Sequence, residues 1–94
     1  MIKVNMKEIW VFNGAMARFP SGIFFSLDNA KDWIKENRLT GVLTKYPVNK
    51  GVYDWAIENN FFCATEDKHK TPSFIGGFTC ASMEHLHFED GIED

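Results

Sequence analysis

Cysteine, long hydrophobic runs and phosphate-binding motifs are scarce or missing in this sequence of 94 residues. It has two cysteines, Cys63 and Cys80, which is too few for a disulfide framework, and they form no CxxC pair. Its start, MIKVNMKEIW, mixes charged and apolar residues and predicts neither a signal peptide nor a membrane span. We therefore expect a cytoplasmic protein with reduced thiols and no membrane association.

Basic residues are missing from the C-terminal quarter. All ten Lys and Arg lie within residues 1–70, together with eight acids, whereas residues 71–94 contain five acids and no Lys or Arg. The formal net charge is −3 and the pI is about 5.5, so the chain lacks the basic character of a nucleic-acid-binding protein. Neither GxxxxGK[ST] nor GxGxxG occurs, which excludes nucleotide binding through those motifs.

Apolar residues are plentiful, at 45% of the chain, and aromatics make up 15%. That is enough to form one packed core, and the chain is too short for two. We expect a single domain over residues 1–94, with its core in about 7–90 and a flexible acidic end at 89–94.

The hydrophobic pattern predicts the element order β-β-α-β-α-β. Strands are expected at 7–14, 22–26, 41–47 and 73–88, with Gly76-Gly77 bending the last, and helices at about 27–38 and 50–60. Residues 63–72 form the longest predicted loop. The predicted fold class is α+β, with two layers: a mixed or antiparallel sheet of about four strands covered by two helices.

The segment EHLHFED, residues 84–90, contains the main candidate for chemistry. On a strand, His85 and His87 share a face with Cα atoms about 6.5 Å apart, so both can reach one divalent metal ion such as zinc. A zinc site needs further ligands, and no HExxH motif supplies them. Candidates are His69, Cys63, Glu66, Asp67, Glu84 and Glu89. Solvated or hydrogen-bonded histidines on a sheet face, with no cofactor, are the simpler interpretation.

Catalytic constellations are not apparent elsewhere. Cys80 and His85 are five positions apart and would project from opposite faces of an unbroken strand, which excludes a dyad between them unless a bulge intervenes. A dyad of Cys63 with a distant histidine stays open, although a buried cysteine is the commoner case. Carboxylate pairs such as Asp54 and Glu58 are expected to be solvated. We assign no catalytic residue and favour a protein that is not an enzyme.

Three blocks of the sequence are distinctive: WVFNGAMARFPSGIF, LTKYPVNKGVYDWAIENNFF and FIGGFTCASMEHLHFEDG. Together, over roughly residues 8–91, they resemble a family of small bacterial proteins described as a domain of unknown function. The resemblance implies that aromatic and glycine positions such as Trp10, Trp55 and Gly76 belong to a shared pattern, and it implies no catalytic role.

Three functional hypotheses follow. The favoured one is a protein-interaction or accessory module, similar to an immunity protein, that binds a basic protein partner through Glu84, His85, His87, Glu89 and Asp90 and through aromatics at the edge of the core. The alternative is a metal-binding protein or metal-dependent enzyme built on the two histidines. The third is a small-ligand binder. It would use Tyr46, Tyr53 and Arg18.

Overall fold

A computed structural model describes residues 7–94 of the chain. The expectation that the chain start is neither a signal peptide nor a membrane span rests largely on residues 1–6, which lie outside that range. The elements in chain order are β1 Glu8–Gly14, β2 Gly22–Phe24, α1 Leu27–Glu36, β3 Gly41–Pro47, α2 Val52–Glu58, a 3₁₀ helix Asp67–Lys70, α3 Pro72–Gly76, β4 His85–Glu89 and β5 Ile92–Glu93.

The strands form one antiparallel sheet in the order β2-β1-β3-β4-β5. The predicted α+β class is therefore confirmed, as is the antiparallel alternative for the sheet. The described part of the chain has five strands and three α-helices, so the expected four strands and two helices fall short by one element of each kind.

Helix α1 covers one face of the sheet. Ser26 is its N-cap and accepts a hydrogen bond from the Asn29 N–H, and Asp28 adds a negative charge to the first turn. The helix buries Ala30 and Ile34 against alternate strand residues, which point to the same side of the sheet because side chains alternate along a strand. The strand residues of this core are Trp10, Phe12, Leu43 and Phe88.

The predicted strand over residues 73–88 is wrong in its first three quarters. Thr71 caps a short helix there by accepting from the Phe74 N–H, and Pro72 occupies the first turn, where its missing N–H costs nothing. The strand begins only at His85. The Thr71-Pro72 pair was the helix-start signal that the strand prediction overlooked.

Strands β4 and β5 form a hairpin. Asp90 and Gly91 have φ values of 52° and 85° and connect β4 to β5, as expected of an Asp-Gly hairpin turn. Gly91 N–H donates to the Leu39 carbonyl at 2.8 Å, and Asp90 N–H donates to Thr40 Oγ1 at 3.0 Å. These bonds attach the acidic C-terminal residues to the start of β3.

Residues between β3 and β4 form a separate aromatic cluster around α2 and α3. Tyr53 is buried there, and Phe62 lies 4.9 Å from Phe78, measured between ring centroids. His69 packs edge to face against the same cluster, with its ring centroid 5.1 Å from that of Phe62. The remaining member is Phe74. This cluster contains four of the fourteen Phe, Trp and Tyr residues of the sequence.

The molecule is flat, with extents of 45 × 38 × 20 Å. A sheet covered by one layer of helix has about this thickness, because the two layers pack about 10 Å apart and each adds its own depth. Among residues 7–94, no helix has the length and hydrophobicity needed to cross a lipid bilayer.

Candidate functional site

The sheet face opposite α1 remains accessible, and we call it the exposed sheet face. Strand pairing places its side chains in rows: Ile23, Val11, Thr44 and His85 stand side by side across four strands. A second row continues through Asn13, Val42 and His87, and a third pairs Glu89 with Ile92. These three rows contain nine residues: Val11, Asn13, Ile23, Val42, Thr44, His85, His87, Glu89 and Ile92. A further row on the same face pairs Ile9 with Tyr46 at the other end of β1 and β3.

The composition of this face is unusual for one that meets water. Glu89 is the one residue among the nine with a full charge, and five of the others are Val, Ile or Thr. Ile23 and Ile92 remain 66% and 72% exposed, whereas a solvated antiparallel sheet normally places polar residues outward. An apolar surface left open in this way is typical of a contact surface.

His85 and His87 project together from this face, as their spacing predicts. Their ring centroids lie 5.2 Å apart and the ring planes are nearly perpendicular, at 81°. The Nδ1 atom of His85 is 2.7 Å from the Met83 carbonyl oxygen. A carbonyl can only accept, so Nδ1 carries the hydrogen and the Nε2 lone pair of the neutral ring is free. Both side chains are exposed.

The acidic neighbours divide between different surfaces. Glu89 stands on the exposed sheet face, two residues beyond His87. Glu84 instead forms an ion pair with Lys45, whose ammonium group also lies over the ring of the core residue Trp10, so Glu84 points to the α1 side. Asp90 lies in the hairpin turn between β4 and β5. The five predicted interaction residues are thus adjacent along the chain but do not form one surface.

The other proposed metal ligands lie in the segment between α2 and α3. His69 Nδ1 accepts a hydrogen bond from the Glu66 N–H at 3.2 Å, and its Nε2 lies 3.6 Å from a Glu66 carboxylate oxygen. These two residues serve to stabilise the 3₁₀ helix that also contains Asp67. Within residues 7–94, no three His, Cys, Asp or Glu side chains are close enough to share one ion.

The residues of the small-ligand hypothesis are dispersed. Tyr53 is buried in the aromatic cluster, Tyr46 lies on β3 and Arg18 is exposed in the β1–β2 loop. A depression of about 340 Å³ beside His87, lined in part by Asn13, Val42 and Asp94, involves none of the three. Within residues 7–94, the depressions beside Phe62 and beside Trp55 are likewise lined by none of the three.

Two predictions about catalytic pairs have different outcomes. Cys80 precedes β4 and lies outside any strand, so the alternation of side chains along a strand does not fix its side of the sheet relative to His85. Asp54 and Glu58 are exposed on α2, where Glu58 forms an ion pair with Lys50, in keeping with the expectation that they are solvated.

Sequence reasoning located the histidines but missed the apolar residues around them. Ile23 and Ile92 lie in strands of three and two residues, too short for alternation to be visible. One signal was detectable in β1, where both the even and the odd positions are apolar, which indicates a strand with apolar side chains on both faces. Trp10 and Phe12 face α1, and Ile9 and Val11 face the other side.

Fold and site together define a small α+β protein with one five-stranded antiparallel sheet, helix on one face and a largely uncharged second face. The chain belongs to the family described as Domain of unknown function (DUF7710), whose model matches residues 9–94. No curated protein and no solved structure matched the chain. The resemblance inferred from the three sequence blocks is therefore confirmed as far as membership of a family of unknown function.

Proposed function

We propose that this protein is a non-enzymatic interaction module that docks another protein on its exposed sheet face. The observation that carries the proposal is the composition of that face: Val11, Ile23, Val42 and Ile92 surround two histidines, with one full charge among nine positions. Covering such a surface removes apolar area from water, which is the main favourable term in most protein association.

The charge at one side of the face indicates the chemistry of the partner. Glu89, Asp90 and Asp94 are exposed around the β4–β5 hairpin, next to the apolar positions, whereas Glu93 forms an ion pair with Lys31 on the α1 side. A partner with an apolar centre and a basic rim on that side would complement this surface, and long-range attraction would speed its association. An accessory or immunity-like role against a basic protein fits this arrangement.

The cellular setting belongs to the same proposal. Cys63 and Cys80 are both free, which suits a reducing cytoplasm. The proposal also includes a bacterial origin, because the resemblance is to a family of small bacterial proteins.

The decisive test compares two surface variants with matched chemistry. In the double variant Ile23→Glu with Ile92→Glu, both substitutions lie on the exposed sheet face, at side chains already open to water. The control is Ile75→Glu on α3, where the isoleucine is 40% exposed and lies outside the sheet. We expect capture of a specific partner from the native host to be lost in the double variant and retained in the control.

Two further measurements make this result interpretable. Thermal unfolding should give the same Tm for the double variant and the control, which separates lost binding from lost folding. Capture should also weaken as ionic strength rises from about 0.1 M to about 1 M, because the Debye length falls to about 3 Å. A partner that binds equally well to the double variant would contradict the proposal.

A further inference from the structure

The His85 and His87 rings have the separation that two ligands of one tetrahedral ion require. Imidazoles bound through nitrogen to the same zinc ion, at about 2.0–2.1 Å and a tetrahedral angle, have ring centroids about 5 Å apart. The two centroids in this structure are 5.2 Å apart. The pair thus stands at ligand spacing on β4.

The hydrogen bonding of His85 supports the same role. Histidine ligands of metals almost always donate their second ring N–H to a carbonyl or carboxylate, which fixes the tautomer and the ring orientation. His85 Nδ1 makes this bond to the Met83 carbonyl at 2.7 Å, and Nε2 is left with a lone pair directed away from the backbone. The outer part of a ligand shell is therefore already in place.

The chain provides only half of such a site. Over residues 7–94, no third His, Cys, Asp or Glu approaches the pair closely enough to share an ion. Structural zinc sites are almost always four-coordinate, so two further ligands must come from elsewhere. A second copy of the same chain, related by a two-fold axis, would supply an identical pair.

The exposed sheet face has a shape and composition that allow this pairing. Two sheets pack face to face about 10 Å apart, and a histidine with its zinc–nitrogen bond of about 2.0–2.1 Å spans roughly half of that distance. The residues flanking the histidines in both rows, Val42 and Thr44, are small and uncharged, so they allow close approach. A face-to-face pair would also bury Val11 and Ile23.

Electrostatics would make the pairing depend on the ion. Each chain has a formal net charge of −3, and Glu89 and Asp94 lie beside His87. Two copies that approach through this face repel one another unless a cation lies between them. A divalent ion supplies that cation and the directional bonds at the same point.

We propose that His85 and His87 form half of a transition-metal site, and that one zinc ion bridges two copies of this chain through four imidazoles. The inference rests on the proposed function, because it places a second copy on the same exposed sheet face. It gives that face a cofactor and, besides the basic partner of the proposed function, a second partner in another copy of the chain.

The experiment uses the full chain, freed of metal with a chelator and then titrated with zinc. We expect sedimentation to show a monomer without metal and a dimer with zinc, and calorimetry to give one ion per two chains. The dissociation constant of the dimer should fall by more than about tenfold on adding zinc. Cobalt in place of zinc should show the strong visible absorption of a tetrahedral site.

Variants separate this site from adventitious binding. His85→Ala and His87→Ala, alone and together, should abolish zinc-dependent pairing at unchanged Tm, since both side chains are exposed. The control Cys63→Ala with Cys80→Ala removes both thiols and should pair as the unmodified chain does. Zinc-induced dimers that survive the double histidine variant, or a monomer that holds one zinc per chain, would overturn the inference.

The outcomes also separate this inference from the proposed function. If zinc causes no pairing but Ile23→Glu with Ile92→Glu still abolishes capture of another protein, the metal bridge is rejected and the docking surface stands. If pairing occurs and that variant captures its partner normally, the metal bridge is supported and docking of other proteins on this face is rejected.

Discussion

The ring of His85 is tied to the carbonyl oxygen of Met83 through Nδ1, at 2.7 Å. His69 has the opposite arrangement, because its Nδ1 accepts from the Glu66 N–H at 3.2 Å. An acceptor nitrogen has no hydrogen, so in the neutral form His69 must have its hydrogen on Nε2. One small protein therefore holds two histidines in opposite tautomers, each selected by a backbone group.

The first prediction concerns these tautomers. Long-range ¹H–¹⁵N correlation spectra of the metal-free protein at neutral to mildly alkaline pH should show a protonated Nδ1 for His85 and a protonated Nε2 for His69. Each serves as the reference for the other, since both are measured in one sample. The same tautomer at both positions would contradict the hydrogen bonds described here.

The second prediction concerns Gly41, where β1 and β3 approach closely. A Cβ atom added at Gly41 would lie 2.3 Å from the Asn13 carbonyl oxygen and 2.8 Å from the Phe12 ring. Neither neighbour can move without disturbing the core, so Gly41→Ala should destabilise the fold by about 3 kcal/mol, at the upper end of overpacking costs.

The matched control for Gly41 is Gly76, at the end of α3, which has nothing within 4 Å of an added Cβ. Gly76→Ala should be neutral, or stabilising by up to about 1 kcal/mol through the better helix propensity of alanine. Urea unfolding of both variants tests the pair. Equal stabilities would show that β1 and β3 are less closely packed than described.

The third prediction compares two isoleucines. Ile34 on α1 is 0% exposed and contacts the sheet core, so Ile34→Ala should cost about 2–5 kcal/mol through lost burial and a residual cavity. Ile75 on α3 is 40% exposed, and Ile75→Ala should change stability by no more than about 0.5 kcal/mol. Chemical denaturation measures both. A larger loss at Ile75 would mean that α3 is buried in solution.

The fourth prediction tests the helix that replaces the expected strand. Thr71 Oγ1 accepts from the Phe74 N–H at 3.3 Å and donates to the Lys68 carbonyl at 3.0 Å, so it joins the 3₁₀ helix to α3. Thr71→Ala should cost about 1 kcal/mol and speed amide exchange at Phe74. Thr79→Ala, at an exposed position outside any helix or strand, is the control and should leave both unchanged.

Local signals explain which elements could be predicted. Ser26 with Asp28, followed by apolar residues at three- and four-residue steps, defines α1 within the chain itself, and the expected helix matches the observed one to within two residues at its end. The apolar run from Ile9 to Phe12 similarly defines β1. The presence and type of these elements depend on residue spacing and capping residues within a short segment of the chain.

Residues 71–94 show where local signals conflict. Phe74 and Phe78 have strand-like composition, yet Thr71 and Pro72 start a helix, and the hydrogen bonds of the cap decide the outcome together with packing on Tyr53. The two-residue strand β5 exists because it pairs with β4 and because Gly91 bonds to Leu39. No pattern within two residues can specify such pairing.

The candidate site was predicted in part for the same reason. The period of two along a strand is a backbone property, so it correctly placed His85 and His87 together. The same period places Glu84, one position before His85, on the opposite side, where it forms an ion pair with Lys45, 39 positions earlier in the chain. The apolar surroundings of the pair came from β1, β2 and β5.

By itself, the sequence determined the fold class, the helix that covers the sheet and the shared face of the two histidines, because each depends on spacing within a short segment. Only the tertiary structure decided that β4 lies between β3 and β5, and that the histidines therefore stand in a largely uncharged surface built from several strands. Strand order brings residues from distant parts of the chain to within about 5 Å, and local periodicity contains no information about which strands will meet.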